Sequence, residues 1–443
     1  MIWTASAAIV LAASIEPSFW PQWRGPLASG VSPDATPPIE WSEEKNVAWK
    51  IEVPGRGKGS PVVWGDRIFL LTAEVSASAP PRRIEDPTGS HPSVAPASEV
   101  LRFTVRALSR KDGTTLWSKV LREEQPHDGA HHDGSFASSS PSTDGERLYA
   151  YFGSRGLYAL DFEGGLLWEK DFGDLAIRRS FGEGSTPVLH GDKVVVLWDH
   201  QGQSFIAALD KRTGKEIWRT DREEITSWTT PLVVEESGRA QVVTSATKRV
   251  RSYDLETGRL LWESEGVTMN AIPSPVGGGG MVYVTSGFQG SVLRAIRLSG
   301  AAGDLKGADA VVWTLDRNTP YVPSPLLYED TLYVLKSNSG ILTCLDPASG
   351  AVHFTRRIDG VLNVYASPVG AAGRVYVVGR DGTTAVLERG REYRLLAVNQ
   401  LDDGFDASPA LVDGEMYLRG IRFLYRLSAD SLSEGSAQRT EHE

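Results

Sequence analysis

Three of the eight histidines fall within six residues, at His127, His131 and His132, and Asp133 follows directly. Neutral imidazole is the commonest zinc ligand, and a carboxylate can complete such a set. A metal held there would support hydrolase or lyase chemistry. The step from His127 to His131 would place both rings on one face of a helix. Gly129 and Gly134 argue for a loop instead, where spacing carries no geometric warrant. Two readings stay open: a metal or substrate site at His127, His131, His132 and Asp133, or a solvated, locally hydrogen-bonded loop.

Other chemistry is narrowed by what is missing. The chain has no GxSxG elbow, HExxH pair or GxxxxGK[ST] loop. The run Gly277–Gly280 is a turn between strands with no helix after it, so it is not a phosphate loop. Cys344 is the single cysteine. One cysteine excludes an intramolecular disulfide, a CxxC pair, a Cys-rich zinc site, a CxxCH haem attachment and an N-terminal lipid-bearing cysteine. The 443 residues carry a net charge of -10, which gives no basic excess for nucleic acid.

The elements that must position any site come from internal repeats. A small residue and Pro, an apolar strand, a Gly or Asp turn and a second apolar strand recur eight times. The copies start at Ser60, Ser140, Thr186, Thr230, Ser274, Ser324, Ser367 and Ser408, each followed by Pro. Their spacings are 80, 46, 44, 44, 50, 43 and 41 residues. Late in most units a turn glycine precedes an aromatic, as in Gly113 to Trp117, Gly214 to Trp218 and Gly258 to Trp262. Residues 324–357 show four short β-rich runs broken by polar turns. Four-stranded units repeated radially make an all-β, eight-bladed β-propeller of antiparallel blades. The last copy has only three strands, and residues 46–54 hold one orphan strand with Trp49 in the late-aromatic place. The N-terminal strand should therefore complete the last blade. The repeated Trp residues are expected to dock between blades rather than bind ligand.

This reading divides the chain into a signal peptide (1–14), an N-terminal extension (15–45), the propeller (46–428) and a polar tail (429–443). The first thirteen residues form an apolar stretch of signal-peptide length, too short to span a bilayer. The expectation is a periplasmic or extracellular protein with no transmembrane segment. Insertions at 76–99 and 122–138 interrupt and follow the first blade, and both should lie over one sector of one rim.

That rim is the second place for a site. Residues just before each small-Pro start should ring a central funnel, among them Arg56, Lys58, Arg178, Trp228, Tyr321 and Asp406. Turns between second and third strands add Arg155, Asp199, Lys336 and Arg380. Basic members outnumber acidic ones, which suits a small anionic ligand such as a tricarboxylate. Ordinary solvated turn residues are the other reading.

The closing phrases Ala208–Trp218 (ALDKRTGKEIW) and Tyr253–Trp262 (YDLETGRLLW) resemble the AxDxxTGxxxW signature of the pyrroloquinoline-quinone (PQQ) repeat family. The resemblance runs from about Asn46 to Ser428. The opening WPQWRGPLASGVS also resembles secreted bacterial propellers with PQQ-like repeats. The family includes quinoprotein alcohol and glucose dehydrogenases and a non-enzymatic outer-membrane-protein assembly scaffold. The enzyme branch would imply PQQ with calcium, held by Arg56, Lys58, Arg178, Trp228, Asp199 and Lys336, with Asp199 or Asp406 as general base. The adjacent cysteine pair and haem motif of the alcohol dehydrogenases are absent here. The expectation is a non-catalytic binding or scaffold module with a protein partner. The alternative is a divergent PQQ- or metal-dependent oxidoreductase with its site in the funnel.

Overall fold

The computed structural model describes residues 18–77 and 91–429. The expected signal peptide, part of the first insertion and residues 430–443 of the tail lie outside the described residues.

Eight antiparallel sheets follow one another around an axis, each built on four propeller strands. Blade 6 shows the plan, with strands Leu326–Tyr328, Thr331–Leu335, Ile341–Leu345 and Val352–Arg357 running outward from the axis. Thr331–Leu335 is buried along its whole length, whereas Val352–Arg357 is exposed or half-buried throughout. A middle strand is covered on both faces by neighbouring blades, so it is largely apolar. The outermost strand meets water and is not.

The ring closes as the repeat count requires. Val47–Glu52 pairs antiparallel with Phe423–Ser428, so the first propeller strand becomes the fourth strand of blade 8. This removes the free edge that an open ring would leave.

The late aromatics join neighbouring blades. The indole N–H of Trp168 donates to Lys211 O at 3.0 Å, and that of Trp218 donates to Leu255 O at 2.9 Å. Each ring also lies on the turn glycine of the next blade. A Cβ on Gly214 would stand 2.7 Å from Trp168, and one on Gly258 would stand 2.5 Å from Trp218. Both glycines have positive φ as well. The glycine and tryptophan of the repeat are therefore two halves of one contact made between adjacent copies. Trp262 departs: its N–H donates within its own blade, to Gln241 Oε1 at 2.9 Å.

The N-terminal extension is a strap across the axis. Phe19–Trp20 pairs with Val63–Trp64 on the inner edge of blade 1. Val31–Ser32 then pairs in parallel with Gly370–Ala371 on the inner edge of blade 7. Between them the Arg24 guanidinium is buried and donates to Ser29 O, Pro325 O and Pro368 O at 2.6–2.7 Å. Two of these carbonyls belong to the prolines that open blades 6 and 7.

Candidate functional site: the mouth of the axial channel

The repeated small residues form a ring of hydrogen bonds around the axis. Each backbone N–H donates to the hydroxyl of the next copy: Ser60 to Ser140, Ser140 to Thr186, Thr186 to Thr230 and Thr230 to Ser274. The chain continues from Ser274 to Ser324, Ser367 and Ser408. These seven bonds span 2.8–3.2 Å. Where the ring passes from blade 8 to blade 1, Arg419 donates to Gly59 O and Leu71 O instead. The small residue of the repeat is thus a hydroxyl because a backbone donor near the axis needs an acceptor.

Above this ring lies a cavity of about 340 Å³. Trp23 of the strap lines both this cavity and a small space beneath it, so it forms the floor. The residue two positions before the small residue reaches the wall in all eight copies: Lys58, Ser138, Gly184, Trp228, Ile272, Val322, Tyr365 and Asp406. Phe181, Glu183, Tyr321, His131 and Asp133 complete much of the lining.

Two insertions shape one side. Val94–Ala95 of the first pairs with Ala130–His131 of the second. They therefore occupy the same sector of the rim. Phe181 is held edge-on between His91 and His131, at 5.3 and 5.4 Å.

Charges at the mouth are spent on one another. Arg380 donates to Asp406 Oδ1 at 2.6 Å and to Asp133 Oδ1 at 2.7 Å. Lys58 pairs with Asp406 and donates to Asp133 O at 2.5 Å. Tyr365 donates to Asp133 Oδ2 at 3.1 Å, and its ring face carries the Arg380 guanidinium at 3.9 Å. Burial pushes the Asp133 carboxyl up, but Arg380, Tyr365 and Lys58 outweigh it and hold the group below the usual range. Burial pushes the Tyr365 phenol up to about 12. Burial also lowers His131, although Asp133 opposes the shift. Glu183 is raised by burial, with both oxygens taking bonds from Ser154 N–H and O–H.

The histidine cluster does not converge. His131 and Asp133 reach the cavity, while His132 is exposed. His127 sits apart, with Arg155 Nη2 donating to its Nδ1 and its Nε2 donating to Leu175 O at 3.0 Å. Both ring nitrogens are engaged, so no lone pair remains for a metal. Among the described residues no three His, Cys, Asp or Glu side chains group to hold an ion.

The residues expected to hold a quinone are dispersed. Asp199 lies away from the lining, fully buried against Arg222 at 2.8 and 3.0 Å. Arg56 and Lys336 are exposed, and neither they nor Arg178 line the cavity. Lys58 and Trp228 do line it, but the Lys58 charge is committed to Asp406. A tricarboxylate needs uncommitted cations, and the lining supplies none among the described residues. The site does not fit PQQ. The expected excess of basic charge at the mouth is neutralised by Asp133 and Asp406, two carboxylates that approach from opposite ends of the chain.

Sequence reasoning placed Lys58, Trp228, Tyr321 and Asp406 at the mouth but missed Trp23, Phe181, Ile272, Val322 and Tyr365. For three of these a signal existed. Ile272, Val322 and Tyr365 all stand two residues before the repeated small residue.

Comparison with known proteins agrees with the fold. The family profile described as outer membrane protein assembly factor BamB matches residues 101–203 and 202–435. BamB of Marinobacter adhaerens is 29% identical over 179 residues, which is 40% of this chain and 41% of that protein. The chain therefore matches less than half the length of this curated relative. BamB of Moraxella catarrhalis superposes with a TM-score of 0.57 at 14% identity, over 86% of this chain and 99% of that one. Quinohemoprotein alcohol dehydrogenase of Comamonas testosteroni gives 0.62 at 11% identity, over 93% of this chain and 80% of that one. Identities this low speak to fold alone. No helix among the described residues is long and apolar enough to cross a membrane. With the profile covering most of the propeller, the chain belongs to the BamB family of PQQ-like repeat propellers.

Proposed function

We propose that this protein is a non-catalytic binding propeller, exported from the cytoplasm, that holds a protein partner on its loop-bearing rim during outer-membrane protein assembly. The observation that carries this reading is the family match along the propeller. The mouth supports it, because its charged groups brace the second insertion rather than stand ready for a substrate. The rim offers a contact surface. Val75, Leu362 and Ile421 are exposed by 61, 68 and 61%. All three lie on inter-blade or second-to-third-strand connections, or at their edges, which share one face. They are the large apolar side chains that this rim leaves open to a partner among the described residues.

The test is genetic and biochemical. Deletion in the host should lower outer-membrane protein levels. A V75E, L362E, I421E triple variant should fold yet fail to restore them. Unchanged outer-membrane protein levels in the deletion strain would overturn the assembly role. PQQ-dependent dye reduction by the purified protein would overturn the non-catalytic one.

A further inference from the structure

The cavity above the hydroxyl ring has two unlike halves, and the eight wall positions sort between them by blade. Blades 4, 5 and 6 contribute Trp228, Ile272 and Val322, with Tyr321 beside them. Blades 7, 8 and 1 contribute Tyr365, Asp406 and Lys58, with Asp133 and His131 above. Ser138 and Gly184 of blades 2 and 3 are small and leave the space open between the halves. The floor is Trp23 of the strap.

The polar half carries no uncommitted charge. Asp406 is shared by Lys58 and Arg380, and Asp133 takes Arg380 and Tyr365. An anionic ligand would have to break one of these pairs to find a cation. A neutral ligand would not. The Asp133 side chain is 37% exposed, and its carboxylate can still accept further hydrogen bonds. Ring hydroxyls such as Ser140, Thr186, Ser324 and Ser367 each accept a backbone N–H, and each line the cavity. Their O–H hydrogens are what they have left to give.

We infer that the mouth cavity binds a neutral saccharide. A sugar ring has an apolar C–H face for an indole and hydroxyls at its edge that both donate and accept. One cavity here supplies both: Trp23, Trp228 and apolar wall residues, with the Asp133 carboxylate as acceptor and the ring hydroxyls as donors. A volume of about 340 Å³ suits one or two sugar rings and lies at the small end of ordinary ligand sites. The inference does not depend on the protein partner proposed above.

The experiment is isothermal titration of the full chain with glucose, galactose, N-acetylglucosamine and cellobiose, with PQQ and choline as anionic and cationic probes. At least one saccharide is expected to bind with a dissociation constant of about 10 mM or tighter. Trp228→Ala and Tyr321→Ala should each weaken it by about tenfold while the melting temperature holds. Asp133→Asn, which keeps an acceptor but removes the charge, should weaken it less. Preferential binding of PQQ or choline would overturn the inference, as would no heat with any saccharide. Saccharide binding unaffected by either aromatic variant would overturn it too, by placing the sugar elsewhere. A negative result here with outer-membrane protein levels still dependent on the protein would sink the saccharide site alone.

Discussion

Arg380 and Asp133 meet at 2.7 Å although 247 residues separate them in sequence. Arg380 comes from a turn of blade 7 and Asp133 from the insertion after blade 1. Their bond, with the Lys58 and Asp406 pair beside it, ties the histidine-bearing loop across the seam where the ring closes. Arg380→Ala should cost about 2 kcal/mol, less than a fully buried pair because both partners are partly solvated. Asp133 lies below its ordinary range in the folded state, so its contribution is complete above about pH 4 and is lost as pH falls through the folded value. Urea midpoints at pH 7 and pH 3.5 should differ less in Arg380→Ala than in the parent chain.

His131 titrates with the opposite charge. Burial lowers it in the fold, so the unfolded chain takes up the proton first. The neutral ring favours the folded state fully above about pH 6.5, and that advantage shrinks as pH falls toward the folded value. His131 Nδ1 accepts the Asp133 N–H at 3.1 Å. His131→Asn keeps an acceptor there and removes the titration. Its melting temperature should fall less than the parent's between pH 7.5 and pH 5.

The turn glycines separate packing from backbone strain. Gly258 and Gly191 both have positive φ, at 71° and 57°. A Cβ on Gly258 meets Trp218 at 2.5 Å, whereas one on Gly191 meets nothing within 4 Å. Gly191→Ala should cost about 1 kcal/mol, the strain alone. Gly258→Ala should cost about 3 kcal/mol, because the indole of the neighbouring blade must move as well. Chemical denaturation of the two variants side by side measures the difference.

Asp199 is structural. Arg222 holds it with two bonds, and Ser227 donates to it at 2.8 Å. The same guanidinium donates to Thr244 and Tyr253 of blade 4, so the pair stitches blades 3 and 4 together. Asp199→Asn should destabilise the protein by about 3 kcal/mol, because a buried cation loses its counter-charge. Saccharide affinity should stay within about twofold. A variant with parental stability would show that the pair does not bind the blades.

The blades were legible in the sequence because β-structure repeats locally. A strand declares itself over five residues, and eight copies of one phrase set the blade count. The orphan strand carrying Trp49 announced closure, because three strands at one end and one at the other make a whole blade. The Trp residues of the repeat declared a packing role by their regular place.

The mouth is different in kind. Its wall takes one residue from every blade, and its polar half joins Lys58 to Asp406 across nearly the whole chain. Neighbours in sequence part company there: His131 enters the cavity, His132 faces water, and His127 turns to Arg155. Asp199 and Asp406 look alike as turn aspartates, yet one is sealed between blades and the other stands at the axis. Nothing local marks Trp23 as a floor. It becomes one because the strap runs beneath the axial cavity on its way from the inner edge of blade 1 to that of blade 7. The sequence by itself determined the repeat, the strand order and the closure, which depend on side-chain alternation and turn chemistry over a few residues. Only the tertiary structure decided which side chains share the axial cavity and which charges cancel, because those depend on the radius and closure of the whole ring.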